Sequence, residues 1–207
     1  SFFWEEGEWQ RVPCHTRCRE FDFPEIGRHK VYSMAHDEIR SLAEHLPSRH
    51  IEFWMGFGET YLNYFNVLRD IGMFSSQEIT TGDGTTVVPL QVLKALLPDP
   101  ASLAPGYTGK TCIGDLVKGK KEGQEREVFI YNICDHEQAY EETDNQAISY
   151  TTAVPCVAAA LLYFQGIWNK PGVWNVEQLD PDPYMQRMSE LGLGWEIMEL
   201  TPVSSHS

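Results

Sequence analysis

TCIGDLVKGKKEGQEREVFIYNICDHE, residues 111–137, is the stretch that decides the fold. Two apolar-rich runs, 111–118 and 126–134, flank a polar segment with a glycine at 120–123, which predicts a β-hairpin. In the second run apolar side chains occur at both odd and even positions, so both faces of the strand are apolar. This pattern predicts a central and largely covered strand.

Outward from this hairpin, the apolar spacing predicts helices and strands in irregular alternation. Helices are expected at 36–46, 60–71, 89–97 and 182–191, and in the uncharged stretch 145–169, which we interpret as a buried helix. Strands are expected in 2–12, 50–57, 77–88, 173–177 and 195–200, whereas 20–28 is expected to be irregular. Because no strict βαβ repeat is present, the fold class predicted is α+β, with a mixed, partly antiparallel sheet covered by helices.

Charge and composition exclude several classes of partner. The chain has 207 residues with 16 Lys and Arg against 30 Asp and Glu, a net charge of −14 at pH 7, so a nucleic-acid partner is not expected. Its 5 cysteines, an odd number, predict a reduced, cytoplasmic protein. The dense apolar part of the uncharged stretch, 154–164, is too short to span a bilayer, so no membrane partner is expected.

Cofactor and metal motifs are incomplete. Gly56 and Gly58 enclose one residue, but the third glycine of a dinucleotide fingerprint is missing, and 81–86 lacks the lysine of a phosphate-binding loop. Cys14 and Cys18 have no second pair at zinc spacing. The sequence therefore predicts no metal site and no nucleotide site on these residues.

Two short clusters carry side chains suited to acid–base work or to binding an ammonium group. His36 and Glu38 stand at the start of a predicted helix, and Asp135, His136 and Glu137 follow the central strand. Acidic residues at a helix start also cap the helix and suit its dipole, so capping remains the alternative for both clusters.

Longer strings of residues resemble the saccharopine dehydrogenase-like family. The strings are YTGKTCIG (107–114), IYNICDHE (130–137), QAISYTT (146–152) and PGVWNVEQLDPDP (171–183), with shorter ones at 21–25, 57–61 and 97–103. The resemblance implies that residues 1–207 form the substrate-binding and dimerisation domain of a two-domain reductase. The N-terminal Rossmann domain of such a reductase is not in this sequence, and residues 178–207 are expected to pack on it.

The polyamine branch of the family is the most similar, which implies a reductive amination. L-aspartate semialdehyde would condense with 1,3-diaminopropane or putrescine, and NADPH, bound mainly by the N-terminal domain, would reduce the product imine. A homodimer is also implied.

The chemistry of this reaction suggests roles for nine residues. A proton carrier near neutrality suits histidine, so the catalytic candidates are His136 first and His36 second. The distal ammonium of a diamine needs carboxylates, for which the candidates are Glu38, Asp135 and Glu137. The carboxylate of the semialdehyde needs a cation or a helix N-terminus, for which the candidates are Lys110, Arg17, Ser149 and Tyr150.

Two alternatives remain open at this point. A saccharopine dehydrogenase of lysine metabolism would use glutamate as its amine and should have a basic site, whereas a diamine site should be acidic. A non-catalytic oligomerisation module would instead bury its aromatic stretches and the small-residue helix 154–162 between subunits.

Overall fold

The computed structural model describes residues 1–200, apart from the side chain of Ala101. It confirms the α+β fold class. The strands are β1 (Phe2–Glu5), β2 (Glu8–Arg11), β3 (Cys18–Phe23), β4 (Gly27–Met34), β5 (His50–Ile51), β6 (Phe53–Gly56), β7 (Ile79–Thr80), β8 (Thr86–Val87), β9 (Lys110–Lys121), β10 (Gln124–Asp135) and β11 (Glu196–Leu200). The helices are α1 (Glu38–His45), α2 (Glu59–Asp70), α3 (Pro89–Leu96), α4 (His136–Thr143), α5 (Ala147–Phe164) and α6 (Pro181–Glu190).

The chain divides into two compact units. Unit 1 comprises residues 1–21, 28–39 and 49–102, and unit 2 comprises residues 22–27, 40–48 and the chain from Leu103. The described sheets have the strand orders β2-β1-β5, β3-β4-β6, β7-β8 and β11-β10-β9. The last of these belongs to unit 2 and carries the predicted hairpin.

The hairpin of β9 and β10 is confirmed, and β10 is the central strand of its sheet. Each strand has 12 residues, more than predicted, because backbone pairing continues through polar residues beside the turn. Glu122 and Gly123 have φ of 53° and 81°, the positive values that a two-residue turn of type I′ requires. The open end of the ladder pairs Lys110 with Asp135.

Gly114 of β9 lies directly opposite Tyr131 of β10. A Cβ atom at Gly114 would lie 2.7 Å from the Cβ of Tyr131 and 2.8 Å from its Cα. Backbone atoms cannot yield to such a contact, so glycine is required at this position. The missing side chain leaves room for Tyr131, whose ring stacks on Phe129 at 5.1 Å.

The core of unit 2 joins the end of β10 to the helices that follow it. Its buried members are Cys134, Ala139, Ala147 and Leu193, with Tyr150 and Val154 packed against them. Burial of these side chains removes apolar surface from water and so fixes the starts of α4 and α5 relative to the segment before β11.

Two predictions of local structure were wrong. Residues 20–28 are not irregular, because Pro24 and Gly27 form the turn between β3 and β4 rather than interrupting a loop. Residues 173–177 are not a strand: a 3₁₀ turn, Val176–Gln178, occurs there, and the side chain of Asn175 caps it. In the first segment Pro24 and Gly27 belong to a short turn between two strands, and in the second the capping residue Asn175 prevailed over the apolar residues around it.

Helix α5 is buried on one face only, which corrects the expectation of a buried helix. Its buried residues are Ala147, Thr151, Ala158 and Leu162, whereas Phe164 is 82% exposed. Among the described residues, α5 is the single helix whose length and composition would allow it to cross a membrane, with a mean hydropathy of 1.6. The other face of α5 is uncharged and partly apolar, and it is exposed on the surface of unit 2.

Candidate functional site

A cleft of about 330 Å³ lies at the end of the β11-β10-β9 sheet in unit 2. Its wall carries three carboxylates and one ammonium group, together with amides and one indole ring. The lining residues are Glu25, Lys110, Tyr131, Asn132, Ile133, Asp135, Gln138, Gly194, Trp195 and Glu196. The side chains alone give the cleft a formal charge of −2, so it favours cationic ligands.

Strand register brings the charged residues of the cleft together. Lys110 opens β9 and Asp135 ends β10, and the two are partners in the ladder. Glu196 begins β11 and pairs with Tyr131 of β10. Glu25 comes from the turn between β3 and β4, where its φ is 59°.

Lys110 already has an anionic partner. Its Nζ donates to Glu25 Oε2 at 2.7 Å. This hydrogen bond and the charge of Glu25 raise the pKa of Lys110 above its ordinary value. Lys110 is therefore a protonated, fixed cation, which suits binding of a carboxylate better than nucleophilic attack.

Glu196 is held by a neutral group. The Tyr131 hydroxyl donates to Glu196 Oε2 at 2.9 Å, and this bond raises the pKa of Tyr131. Within residues 1–200, no lysine, arginine or histidine forms an ion pair with Glu196. A hydroxyl orients a carboxylate but brings no positive charge to it, so the partner of Glu196 in the cleft is a neutral group.

Asp135 is the N-cap of α4, as the capping alternative predicted. Its Oδ1 accepts hydrogen bonds from the backbone N–H of Glu137 at 2.9 Å and of Gln138 at 3.1 Å. Glu137 lies in the first turn of α4, where a negative charge suits the helix dipole, and it does not line the cleft. Asp135 thus combines a structural role with a place in the cleft wall.

His136 follows the cleft residue Asp135 in the sequence but does not line the cleft, and 5% of its surface is exposed. Its Nδ1 accepts a hydrogen bond from the backbone N–H of Ala147 at 3.2 Å, and the ring of Tyr107 contacts it edge-on at 4.5 Å. Gln146, the N-cap of α5, makes no side-chain capping bond, so His136 caps α5 in its place. Burial lowers the pKa of His136, which keeps the imidazole neutral with its Nδ1 as an acceptor.

Ser149 and Tyr150 line a second cleft of about 500 Å³, mostly apolar, between α4, α5 and Leu191. The Tyr150 hydroxyl donates to the carbonyl of Leu191 at 3.0 Å, and burial raises the pKa of Tyr150. These two predicted residues are therefore close to each other but do not line the acidic cleft.

Three predicted residues belong to unit 1. His36 Nδ1 lies 3.0 Å from Glu38 Oε2 at the start of α1, and the His36 ring stacks on Phe53 at 4.1 Å. Arg17 forms an ion pair with Glu52, with Nε 3.1 Å from Oε1 and a second nitrogen donating to Oε2 at 3.1 Å. The positive charge of Arg17 is thus paired with the Glu52 carboxylate within unit 1.

The sequence interpretation found Lys110 and Asp135 but missed Glu25, Tyr131, Trp195 and Glu196. The missing signal was strand pairing. A last strand was predicted from residue 195, but its partner was not, and pairing it antiparallel with β10 brings Glu196 beside Tyr131. Glu25 was missed because its turn was taken for an irregular segment.

The residues described here do not fit a dinucleotide site. Gly56 and Gly58 do connect strand β6 to helix α2, as in the fingerprint of such sites. However, Tyr61 stands where the third glycine would be, and its ring stacks on Phe57 at 5.1 Å. Strand β6 is also antiparallel to its neighbour β4, whereas the nucleotide fold uses parallel strands.

Comparison with known proteins relates nearly all of the described chain to one family. The model of the saccharopine dehydrogenase C-terminal domain matches residues 1–193. A carboxynorspermidine synthase of Vibrio alginolyticus is 64% identical over 202 residues, which cover 98% of this chain and 49% of that protein. The corresponding enzyme of Vibrio cholerae is 62% identical over 202 residues, with the same coverage of 98% and 49%.

A carboxyaminopropylagmatine dehydrogenase of Synechocystis is 44% identical over 192 residues, covering 92% of this chain and 48% of that protein. The chain thus spans about half the length of the curated relatives it matches. The matched residues include both units and the acidic cleft up to residue 193. The chain belongs to the saccharopine dehydrogenase C-terminal domain family.

Proposed function

We propose that these residues are the substrate-binding part of a nicotinamide-dependent reductive aminase of polyamine biosynthesis. The reaction joins L-aspartate semialdehyde to 1,3-diaminopropane or putrescine and gives carboxynorspermidine or carboxyspermidine. The names of the relatives support the polyamine branch. The observation that carries the proposal is the acidic cleft, which has three carboxylates against one ammonium group.

The charge of the cleft separates this proposal from the lysine-branch alternative. A dicarboxylate amine such as glutamate would bring two negative charges to a wall that already has a formal charge of −2, and like charges repel strongly at short range. A diamine brings positive charge and gains from the same wall. The acidic cleft therefore favours a diamine over glutamate.

Lys110 is our proposed partner for the carboxylate of the semialdehyde, because it is the cation of the cleft. Arg17 is a weaker candidate, since it belongs to unit 1 and does not line the cleft. Ser149 and Tyr150 would serve the same purpose only for a ligand that reaches the second cleft. Among the three predicted ammonium partners we now place Asp135 ahead of Glu137 and Glu38, because it alone of the three lines the cleft.

The two histidines remain the proposed proton carriers, in the reverse order. His36 is half-exposed beside Glu38, as an acid–base group that exchanges protons with a ligand needs to be. His136 is buried, and its Nδ1 accepts the hydrogen bond from the N–H of Ala147, which suits a positioning role next to the cleft residue Asp135.

Three further parts of the proposal concern the whole protein. The reductant is NADPH, held mainly by an N-terminal Rossmann domain on which residues 178–200 pack. Residues 201–207 of that predicted segment lie outside the described residues.

The protein acts in the cytoplasm as a homodimer, without nucleic acid or membrane as a partner. The exposed face of α5, with Tyr163 and Phe164, is the proposed contact between copies, and it also favours the second candidate function, an oligomerisation module.

The test is oxidation of NADPH by the full-length protein with L-aspartate semialdehyde and either diamine. Parallel reactions contain aminoadipate semialdehyde with glutamate, and NADH in place of NADPH. We expect turnover with a diamine only. Turnover with glutamate only would assign the protein to the lysine branch, and no turnover in either reaction, with an intact oligomer, would favour the oligomerisation module.

A further inference from the structure

We propose that Glu196, oriented by the Tyr131 hydroxyl, is the counter-ion that selects amines with a second, positively charged end. This inference rests on the proposed function, because it names the group that recognises the amine substrate in the same cleft. It assigns a specificity-determining role to two residues that were not among the site candidates predicted from the sequence.

The partners of the three carboxylates in the cleft differ. Glu25 is neutralised by Lys110 at 2.7 Å. Asp135 uses its Oδ1 to accept two backbone N–H groups at the start of α4. Glu196 is held by one neutral hydroxyl at 2.9 Å, so its charge is the least compensated by fixed groups of the cleft.

Tyr131 gives Glu196 a defined position. Gly114 lies opposite Tyr131, where a Cβ atom would collide with the Cβ and Cα of the tyrosine, and the phenol ring stacks on Phe129 at 5.1 Å. The strand register fixes the position of Glu196, because Tyr131 and Glu196 are partners in the β10–β11 ladder. A carboxylate fixed in this way loses less side-chain entropy when it binds a cation than a mobile surface carboxylate does.

Asp135 adds a second carboxylate on the same face of the sheet. Side chains alternate between the two faces along β10, so Tyr131 and Asp135 share one face, and Glu196 pairs with Tyr131. An ammonium group carries three N–H donors and no acceptor, so it matches a wall whose acceptors include Glu196 and Asp135.

Trp195 adds an apolar surface beside Glu196. It lines the cleft and is 39% exposed. An indole face attracts cations and also covers the methylene groups that separate the two nitrogens of a short diamine. The volume of about 330 Å³ is at the lower end of the range for small-molecule sites, roughly 300–1,000 Å³, as expected for a ligand of this size.

The experiment measures kcat/KM of the full-length protein with 1,3-diaminopropane and with propylamine, its analogue without the second nitrogen. Glu196→Gln removes the charge but keeps an acceptor for Tyr131. We expect the preference for diaminopropane over propylamine to fall by about 10- to 100-fold, the effect of losing one charge-assisted hydrogen bond. Glu199→Gln is the matched control, because Glu199 lies on the same strand and pairs with Arg126 instead.

Tyr131→Phe is the second variant, which keeps the ring and the charge of Glu196 but removes the bond that orients it. We expect KM for diaminopropane to rise by about 3- to 10-fold with a smaller change in kcat. An unchanged preference in Glu196→Gln, or equal losses in Glu196→Gln and Glu199→Gln, would overturn the proposal.

Calorimetric titration of 1,3-diaminopropane into the full-length protein separates this inference from the proposed function. Binding that is weakened in Glu196→Gln but not in Glu199→Gln supports the inference even if no substrate pair is turned over, in which case only the proposed reaction fails. Turnover with a diamine but equal titrations for the wild type and Glu196→Gln would retain the reaction and overturn the inference.

Discussion

Glu52 in unit 1 and Glu196 in unit 2 are both glutamates in strand-rich surroundings, but their partners differ. The Glu52 side chain is 1% exposed, and Arg17 contacts both of its oxygens. His50 adds a third nitrogen at 3.3 Å. Glu196 faces an open cleft and has a neutral hydroxyl as its partner.

Glu52 therefore has the partners of a structural charge, whereas the charge of Glu196 is available to a ligand. A buried carboxylate is tolerable when a cation neutralises it within the fold, and such a group has little left to offer a ligand. A carboxylate that is oriented but not neutralised retains its capacity to bind a cation. The partner of a charged side chain is therefore more informative about function than the side chain itself.

The largest expected effect comes from Arg17→Met, which breaks the structural half of the comparison. It leaves Glu52 buried with only His50 nearby, and removing one partner of a buried pair costs about 3–5 kcal/mol. Because Arg17 is partly exposed, we expect about 3 kcal/mol, measured as a lower free energy of unfolding in urea. Arg49→Met, which breaks the exposed pair with Glu6, is the control and should cost less than about 1 kcal/mol. Equal losses of unfolding free energy in the two variants would contradict the expectation that the buried pair contributes more than the exposed one.

The next effect tests the hydrogen bond by which His136 caps α5. His136→Ala removes the acceptor of the buried N–H of Ala147, and an unsatisfied buried donor costs about 1–3 kcal/mol. His136→Asn retains an acceptor oxygen and should recover part of that loss in urea unfolding. Failure of Asn to recover any stability would show that the hydrogen bond is not what His136 contributes.

The pH dependence of stability provides a second test of the buried His136. The pKa of His136 lies below its ordinary value of 6.5 because burial disfavours the imidazolium. The unfolded chain therefore binds a proton first as the pH falls below 6.5, so the folded state loses stability there, by up to about 1.4 kcal/mol per pH unit. Thermal unfolding between pH 7.5 and 5 should show a shallower decline for His136→Asn than for the wild type. His15, whose pKa is also lowered by burial, should account for part of the remaining slope.

A smaller effect separates the two roles of Asp135. Asp135→Ala removes the N-cap of α4 and should cost about 1 kcal/mol, whereas Asp135→Asn preserves the cap and should cost a few tenths. If Asp135 also binds an ammonium group, Asn should weaken diamine binding as strongly as Ala does. Calorimetry with putrescine measures this, and full retention of binding in Asp135→Asn would leave the residue a purely structural role.

The smallest effect on stability is expected at His36. Its pair with Glu38 is half-exposed, and such pairs contribute at most about 1 kcal/mol. His36→Gln should therefore unfold at nearly the wild-type urea concentration while reducing kcat of the full-length protein at least tenfold, a typical contribution of a proton carrier being about 100-fold or more. Normal kcat in this variant would remove His36 from the reaction.

Much of the fold followed from local patterns in the sequence. The hairpin of β9 and β10, the N-cap at Asp135 and most helices were predictable because apolar periodicity and capping residues act over a few positions. The cleft was predictable only in part. Lys110 and Asp135 come together by pairing within one hairpin, whereas Glu196 reaches Tyr131 through pairing of distant strands, which no local pattern encodes.

The same limit explains the role of His136. Its motif correctly indicated a group at a helix start, but the helix it caps through its side chain is α5, 11 positions further along the chain. A sequence pattern cannot show which N–H a buried imidazole meets, because that depends on how α4 and α5 pack.

Gly114 does not line the cleft, yet it allows β9 and β10 to approach closely where Tyr131 stands. Natural selection for amine binding would therefore act on a residue that has no side chain and no chemistry of its own. The atoms that a Cβ would meet are the Ile130 carbonyl oxygen and the Cα and Cβ of residue 131, which remain when the aromatic ring is replaced. Gly114 should therefore be retained in other members of the family even where the aromatic residue opposite it has been lost.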